Sequence, residues 1–182
     1  MAGKRYPDMW VDPEDDPRSQ EPLLAGERET LVDYLRNYRL TLELKCAGLD
    51  AEQLARRSVP PSSMSLLGLV RHLAEVERNW FREVMAGEPR DKLFVTREDR
   101  DGDFTGAVAE DACVEQAFRV WEAEIANADR FVREAASLDL LSRSERITIN
   151  LREVLVHLVE EYARHCGHAD LLRECIDGAT GQ

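Results

Sequence analysis

Three of the four histidines, His157, His165 and His168, fall close together near the C-terminus, with Glu160 and Glu161 between them. The surrounding pattern reads as an amphipathic helix. At about 3.6 residues per turn, Glu161, His165 and His168 share a face with Leu158 and Leu172. Imidazole and carboxylate together are ligand chemistry: zinc and similar divalent ions take nitrogen and oxygen donors, with three protein ligands and one open position at catalytic sites. Glu161 and His165 are four residues apart and leave the helix on the same side. Two donors do not make a site. The fourth histidine, His72, lies beside the apolar stripe of another predicted helix, and bundles build metal sites from side chains on facing helices. The residues therefore point to a metal set of His72, Glu161 and His165. His157, four before Glu161, is placed to orient that carboxylate, and His168, three after His165, is the alternative ligand. Cys166 lies about 100° round the helix from His165 and is expected on a neighbouring-helix contact instead.

A metal-free reading stands beside this one. His72 would then be satisfied by Glu75 or Glu77, and Glu161 and His165 would face solvent or pair with Arg164 or Arg173. The metal reading gains from the placement of all four histidines in two segments predicted to face one another. A cation would also remove the several-kcal/mol cost of burying an unpaired carboxylate.

Four long amphipathic segments must position these residues. The first covers residues 22–47, with Leu31, Leu35, Tyr38, Leu42 and Cys46 as its stripe and Gly48 as its stop. Asp50 and Gln53 form a capping box for a short helix over 51–57. After a stiff break at Pro60 and Pro61, Ser63 or Ser65 caps the second long helix, 66–85, striped by Leu69, Leu73, Val76, Trp80 and Val84. The third, 111–137, carries Val114, Phe118, Trp121, Ile125, Ala128 and Val132. The fourth, 151–176, opens at a capping box of Asn150 and Glu153 and closes at Gly178. Between them, 88–109 dissolves into charge and glycine, and 138–149 holds one short extended segment at 146–149. The prediction is an all-α four-helix bundle over 21–178, preceded by an irregular arm over 1–20 pinned by Trp10 and followed by a tail over 179–182.

The totals set bounds. The 182 residues carry 24 Lys and Arg against 36 Asp and Glu, a net charge of -12. That balance disfavours nucleic acid and anionic membrane surfaces, whose recognition rests on basic side chains. No apolar run approaches the roughly 20 residues needed to span a bilayer, and the first residues lack a signal-peptide core, so a cytoplasmic location is expected. The four cysteines show no paired spacing and read as reduced thiols. Asp99, Asp101, Asp103 and Glu110 mimic a calcium loop, but Phe104 stands where such a loop requires glycine, so the stretch reads as an acidic, solvated loop. No phosphate-cradle or serine-hydrolase motif is present.

Three segments carry a family resemblance: residues 46–49 (CAGL), 60–81 (PPSSMSLLGLVRHLAEVERNWF) and 157–173 (HLVEEYARHCGHADLLR). Over residues 27–178 the chain resembles the DinB/YfiT-like superfamily. More closely, it resembles an actinobacterial branch related to the N-terminal domain of mycothiol-dependent maleylpyruvate isomerase. The resemblance implies an up-down-down-up bundle with long crossover loops. It also implies a metal triad with one ligand from the second helix, matching His72, and two from the fourth. The second of those matches His165. The first falls on Glu161, which departs from the family's common histidine but is similar to the His-Glu-His set of that isomerase. What it implies of activity is a metal-dependent S-transferase or isomerase. The metal would be zinc or nickel, mycothiol or a similar small thiol the cosubstrate, and a small electrophile the substrate. The other reading is a non-catalytic protein in which the metal only stabilises the core. A homodimer through a bundle face is a further expectation.

Overall fold

The computed structural model describes residues 9–18, 24–89 and 91–181. Among them are α1 (Glu27–Cys46), α2 (Ala51–Ala55), α3 (Leu66–Arg78), α4 (Gly102–Thr105), α5 (Asp111–Glu134) and α6 (Leu151–Asp177). α3 continues without a break into a π-helical stretch, Asn79–Met85, so the helix expected over 66–85 is present but widens in its C-terminal part. The expected start at residue 22 lies outside the described residues; α1 begins at Glu27 and α5 stops at Glu134. The extended segment expected at 146–149 does not form a strand. The β pairing among the described residues is one isolated antiparallel bridge, Leu141 with Asn150.

Local chemistry sets the helix ends. Ser65 accepts the Gly68 N–H, Asn150 accepts that of Glu153, and Asp50 and Gln53 make both bonds of the capping box. Gly178 ends α6 at φ 75°, in the left-handed region glycine enters without a Cβ penalty.

Side-chain contacts give the helix directions. Glu27 meets Arg152 and Lys45 meets Asp170, so α1 and α6 run parallel. His72 meets His165 and Trp80 meets His157, so α3 is antiparallel to α6. Arg71 reaches Cys113, Arg78 reaches Glu124, and Phe81 packs on Phe131, so α5 runs parallel to α3. The order is up-down-down-up. A chain that leaves one helix and enters a parallel neighbour must first travel back along the bundle. The described residues 86–89 and 91–110 belong to that crossover, and α4 lies within it.

α3 is the central element, packed against α1, α5 and α6. Leu66, Leu67, Leu69, Val70, Leu73, Ala74 and Phe81 are all fully buried along it and its π-helical extension. The core also holds a polar network drawn from all four long helices. Arg39 of α1 donates to both oxygens of Glu77 on α3, at 2.8 and 2.9 Å. Tyr162 of α6 donates to Glu77 at 2.9 Å, and Trp121 of α5 donates to the Tyr162 oxygen at 2.8 Å. Burial pushes the Glu77 carboxyl and the Tyr162 phenol up, while the Arg39 guanidinium opposes the shift at both. Satisfied in this way, the network places a charged pair in the core without an orphan atom.

Trp10 is buried at the C-terminal end of α1. Its indole N–H donates to the Leu44 carbonyl at 3.1 Å, and its ring lies 3.8 Å from the Lys45 ammonium. Lys45 is itself buried, donating to the Gly181 carbonyl at 2.6 Å and pairing with Asp170 at 2.8 Å.

Candidate metal centre

Antiparallel packing of α3 on α6 brings His72 to Glu161 and His165. One donor atom from each lies within 4.8 Å of the other two. The His72 and His165 rings meet edge-on, centroids 4.8 Å apart at 60°. His165 is buried, and His72 and Glu161 are about three-quarters so, with 26% and 27% of their side chains exposed. The three residues that spacing picked out are thus neighbours in space.

Each has a further partner. His157 Nε2 lies 3.5 Å from Glu161 Oε1, and its ring rests edge-on against Trp80 at 4.7 Å. His165 turns Nε2 toward Glu161 Oε2 at 3.4 Å and Nδ1 toward His168 Nδ1 at 3.3 Å. His168 therefore stands behind His165 and is not among the three clustered residues. Cys166 points elsewhere, its Sγ 3.4 Å from the Tyr38 carbonyl on α1.

The partner of His72 differs from the expectation. Neither Glu75 nor Glu77 reaches it. Glu75 Oε1 accepts the backbone N–H groups of Leu93, Phe94 and Val95 at 2.8, 2.6 and 3.1 Å, and Glu77 belongs to the core network. His72 Nδ1 instead lies 2.7 Å from Asp103 Oδ2 on α4. The acidic loop is accordingly not solvated throughout: Asp99 and Asp101 are exposed, but Asp103 is only 5% so. Phe104, the residue incompatible with a calcium loop, anchors α4, stacking on His72 with centroids 5.4 Å apart at 27°. An apolar ring between two glycines, Gly102 and Gly106, was the sequence signal that this part of the loop folds inward.

The donor chemistry fits a divalent cation. With Nδ1 of His72 against a carboxylate, Nε2 is the free donor. His165 is pushed down to about 4, chiefly by burial and then by His72, His168 and Arg164, with Asp103 opposing. At neutral pH it is a neutral imidazole with a lone pair to offer. Two imidazoles and one carboxylate are a known zinc set with room for a fourth ligand.

No helix among the described residues is long and apolar enough to cross a membrane. A comparison with curated proteins finds no match. The all-α bundle accords with the DinB/YfiT-like expectation. Residues 30–178 match the family model described as Mycothiol-S-transferase, most of the chain's length, and the chain belongs to that family.

Proposed function

We propose that this protein is a metal-dependent S-transferase that joins a low-molecular-weight thiol of the mycothiol type to a small electrophile. The observation that carries the reading is the convergence of His72, Glu161 and His165 from two helices onto one point, in a chain of the mycothiol S-transferase family. These three residues would hold the ion, Zn²⁺ by their donor types, with Ni²⁺ also suited to imidazole. When bound, the ion lowers the pKa of a thiol brought to it, and the thiolate form is the nucleophile.

The chain's own residues do the rest. The buried, neutral His165 offers an uncharged nitrogen, and Glu161 supplies one negative charge, so the set leaves net positive charge on a divalent ion to favour a thiolate. Phe104 over His72 and Trp80 against His157 place apolar rings beside the site. In the transfer the S–H proton leaves to solvent. A C–S bond forms, and the bond to the electrophile's leaving group breaks, with its electron pair departing on that group.

The test is an assay with mycothiol and an electrophilic bimane. Conjugation should fall to the uncatalysed rate on chelation and return with added Zn²⁺. Conjugation that ignores the chelator would refute the mechanism.

A further inference from the structure

Three residues of α3 within little more than one turn, Arg71, His72 and Glu75, all grip the crossover. Arg71 donates to the carbonyls of Asp103 and Gly102 at 2.8 and 2.9 Å, and its guanidinium lies 3.9 Å from the centre of the Phe94 ring. Glu75 gathers three successive N–H groups at 93–95. Gly102 lets the two parts of the crossover close on each other, because a Cβ there would collide with the Phe94 carbonyl. The segment is thereby fixed as far as Asp103 itself. The Asp103 carboxylate is itself oriented: Oδ1 accepts the Phe104 N–H at 3.0 Å, leaving Oδ2 for His72.

A neutral imidazole carries its proton on either nitrogen, and only the other nitrogen has a lone pair for a cation. A carboxylate can only accept. Its 2.7 Å contact with Nδ1 of a neutral ring puts the proton there. His72 is also packed against the Phe104 ring, stacked at 5.4 Å, and the His165 ring, edge-on at 4.8 Å, which restricts the ring from turning its nitrogens round.

We propose that Asp103 is the positioning residue of the centre: it fixes His72 as the Nδ1–H tautomer and leaves Nε2 as the lone-pair donor for a cation shared with Glu161 and His165, with the α3-bound crossover as its mount. The consequence for cation binding rests on the metal reading above. The tautomer does not, and it is observable without metal.

The experiment uses the full chain, ¹⁵N-labelled and treated with chelator. A long-range ¹H–¹⁵N spectrum at neutral pH reports which nitrogen of His72 is protonated. Wild type and Asp103→Asn, whose amide oxygen accepts the same bond, should both show Nδ1–H. Asp103→Ala should move His72 toward Nε2–H. In a Zn²⁺ titration against a competing chelator, Asp103→Ala should bind about tenfold to hundredfold more weakly than wild type, the range seen when such outer partners are lost. Asp103→Asn should recover part of that loss. Nε2–H in wild type overturns the proposal without any variant, and so does an unchanged tautomer or unchanged Zn²⁺ affinity in folded Asp103→Ala. Nδ1–H in a wild type that takes up no Zn²⁺ supports the tautomer assignment and defeats the metal reading instead.

Discussion

The Tyr162 hydroxyl donates to the Glu77 carboxylate at 2.9 Å, in the core, next in sequence to Glu161 on one helix and five residues from His72 on the other. The bond ties α6 to α3 beside the candidate metal centre. Arg39 and Trp121 complete it from α1 and α5, so one contact set fixes the register of all four long helices. Loss of one partner leaves buried polar atoms unmatched. Tyr162→Phe should cost about 1–3 kcal/mol. Glu77→Ala, which leaves the buried Arg39 paired only with the half-exposed Asp129 at 2.8 Å, should cost more, up to about 3–5 kcal/mol. Denaturant titration measures both. A Glu77→Ala protein as stable as wild type would mean that the network does not hold the helices together.

The thiols should differ sharply in reactivity. Burial pushes Cys46 and Cys166 each up to about 12, so between pH 7 and 9 their reactive thiolate is scarce, while Cys175 is exposed. Labelling of the native protein at pH 8 should modify Cys175 first. Cys46 and Cys166 should react only on unfolding, whereupon they lose both burial and the pKa shift. Peptide mapping after timed alkylation reads the order, and early labelling of Cys46 would contradict the packing.

Truncating Trp10 should destabilise the fold from outside the bundle. Its ring is buried against Lys45 and its indole is bonded to the Leu44 carbonyl, and removal of a buried aromatic typically costs about 3–5 kcal/mol. Trp10→Ala should lower the denaturant midpoint accordingly. An unchanged midpoint would show that the arm adds nothing.

Glu75 should govern the order of the crossover. Because one carboxylate oxygen accepts the N–H groups of Leu93, Phe94 and Val95, these amides should exchange slowly in wild type and much faster in Glu75→Ala. Hydrogen exchange by NMR resolves the three positions. Equal rates in the two proteins would show that the anchor is not formed.

These features differ in how far the sequence discloses them, and the reason is range. The helix ends at Asp50, Ser65, Asn150 and Gly178 depend on residues within a turn of one another, so local pattern identifies them. Leu35, Leu42, Leu69, Leu73 and Trp121 announce their faces by periodicity and are buried. Glu161 and His165 are legible for the same reason, and His72 follows once its helix is known to face theirs. Asp103 is not legible in this way. It lies 31 positions from His72, among aspartates that do face solvent, and helical spacing directs attention to Glu75 and Glu77. Those two have other partners, the 93–95 amides and Arg39. Arg39 shows the same limit: a charged residue beside an apolar stripe reads as surface until its buried partner from another helix is known. The π-helical widening at Asn79–Met85 has no local sequence mark that separates it from the α-helix before it.

The central claim is that His72, Glu161 and His165 hold one divalent ion, and metal analysis tests it most directly. Wild-type protein and His72→Ala, Glu161→Ala and His165→Ala variants would be purified side by side, offered Zn²⁺, desalted and measured for bound metal. The account predicts near-stoichiometric Zn²⁺ in wild type and a loss of most of it in each variant, with helical content retained. Equal, negligible metal in wild type and all three variants would contradict it.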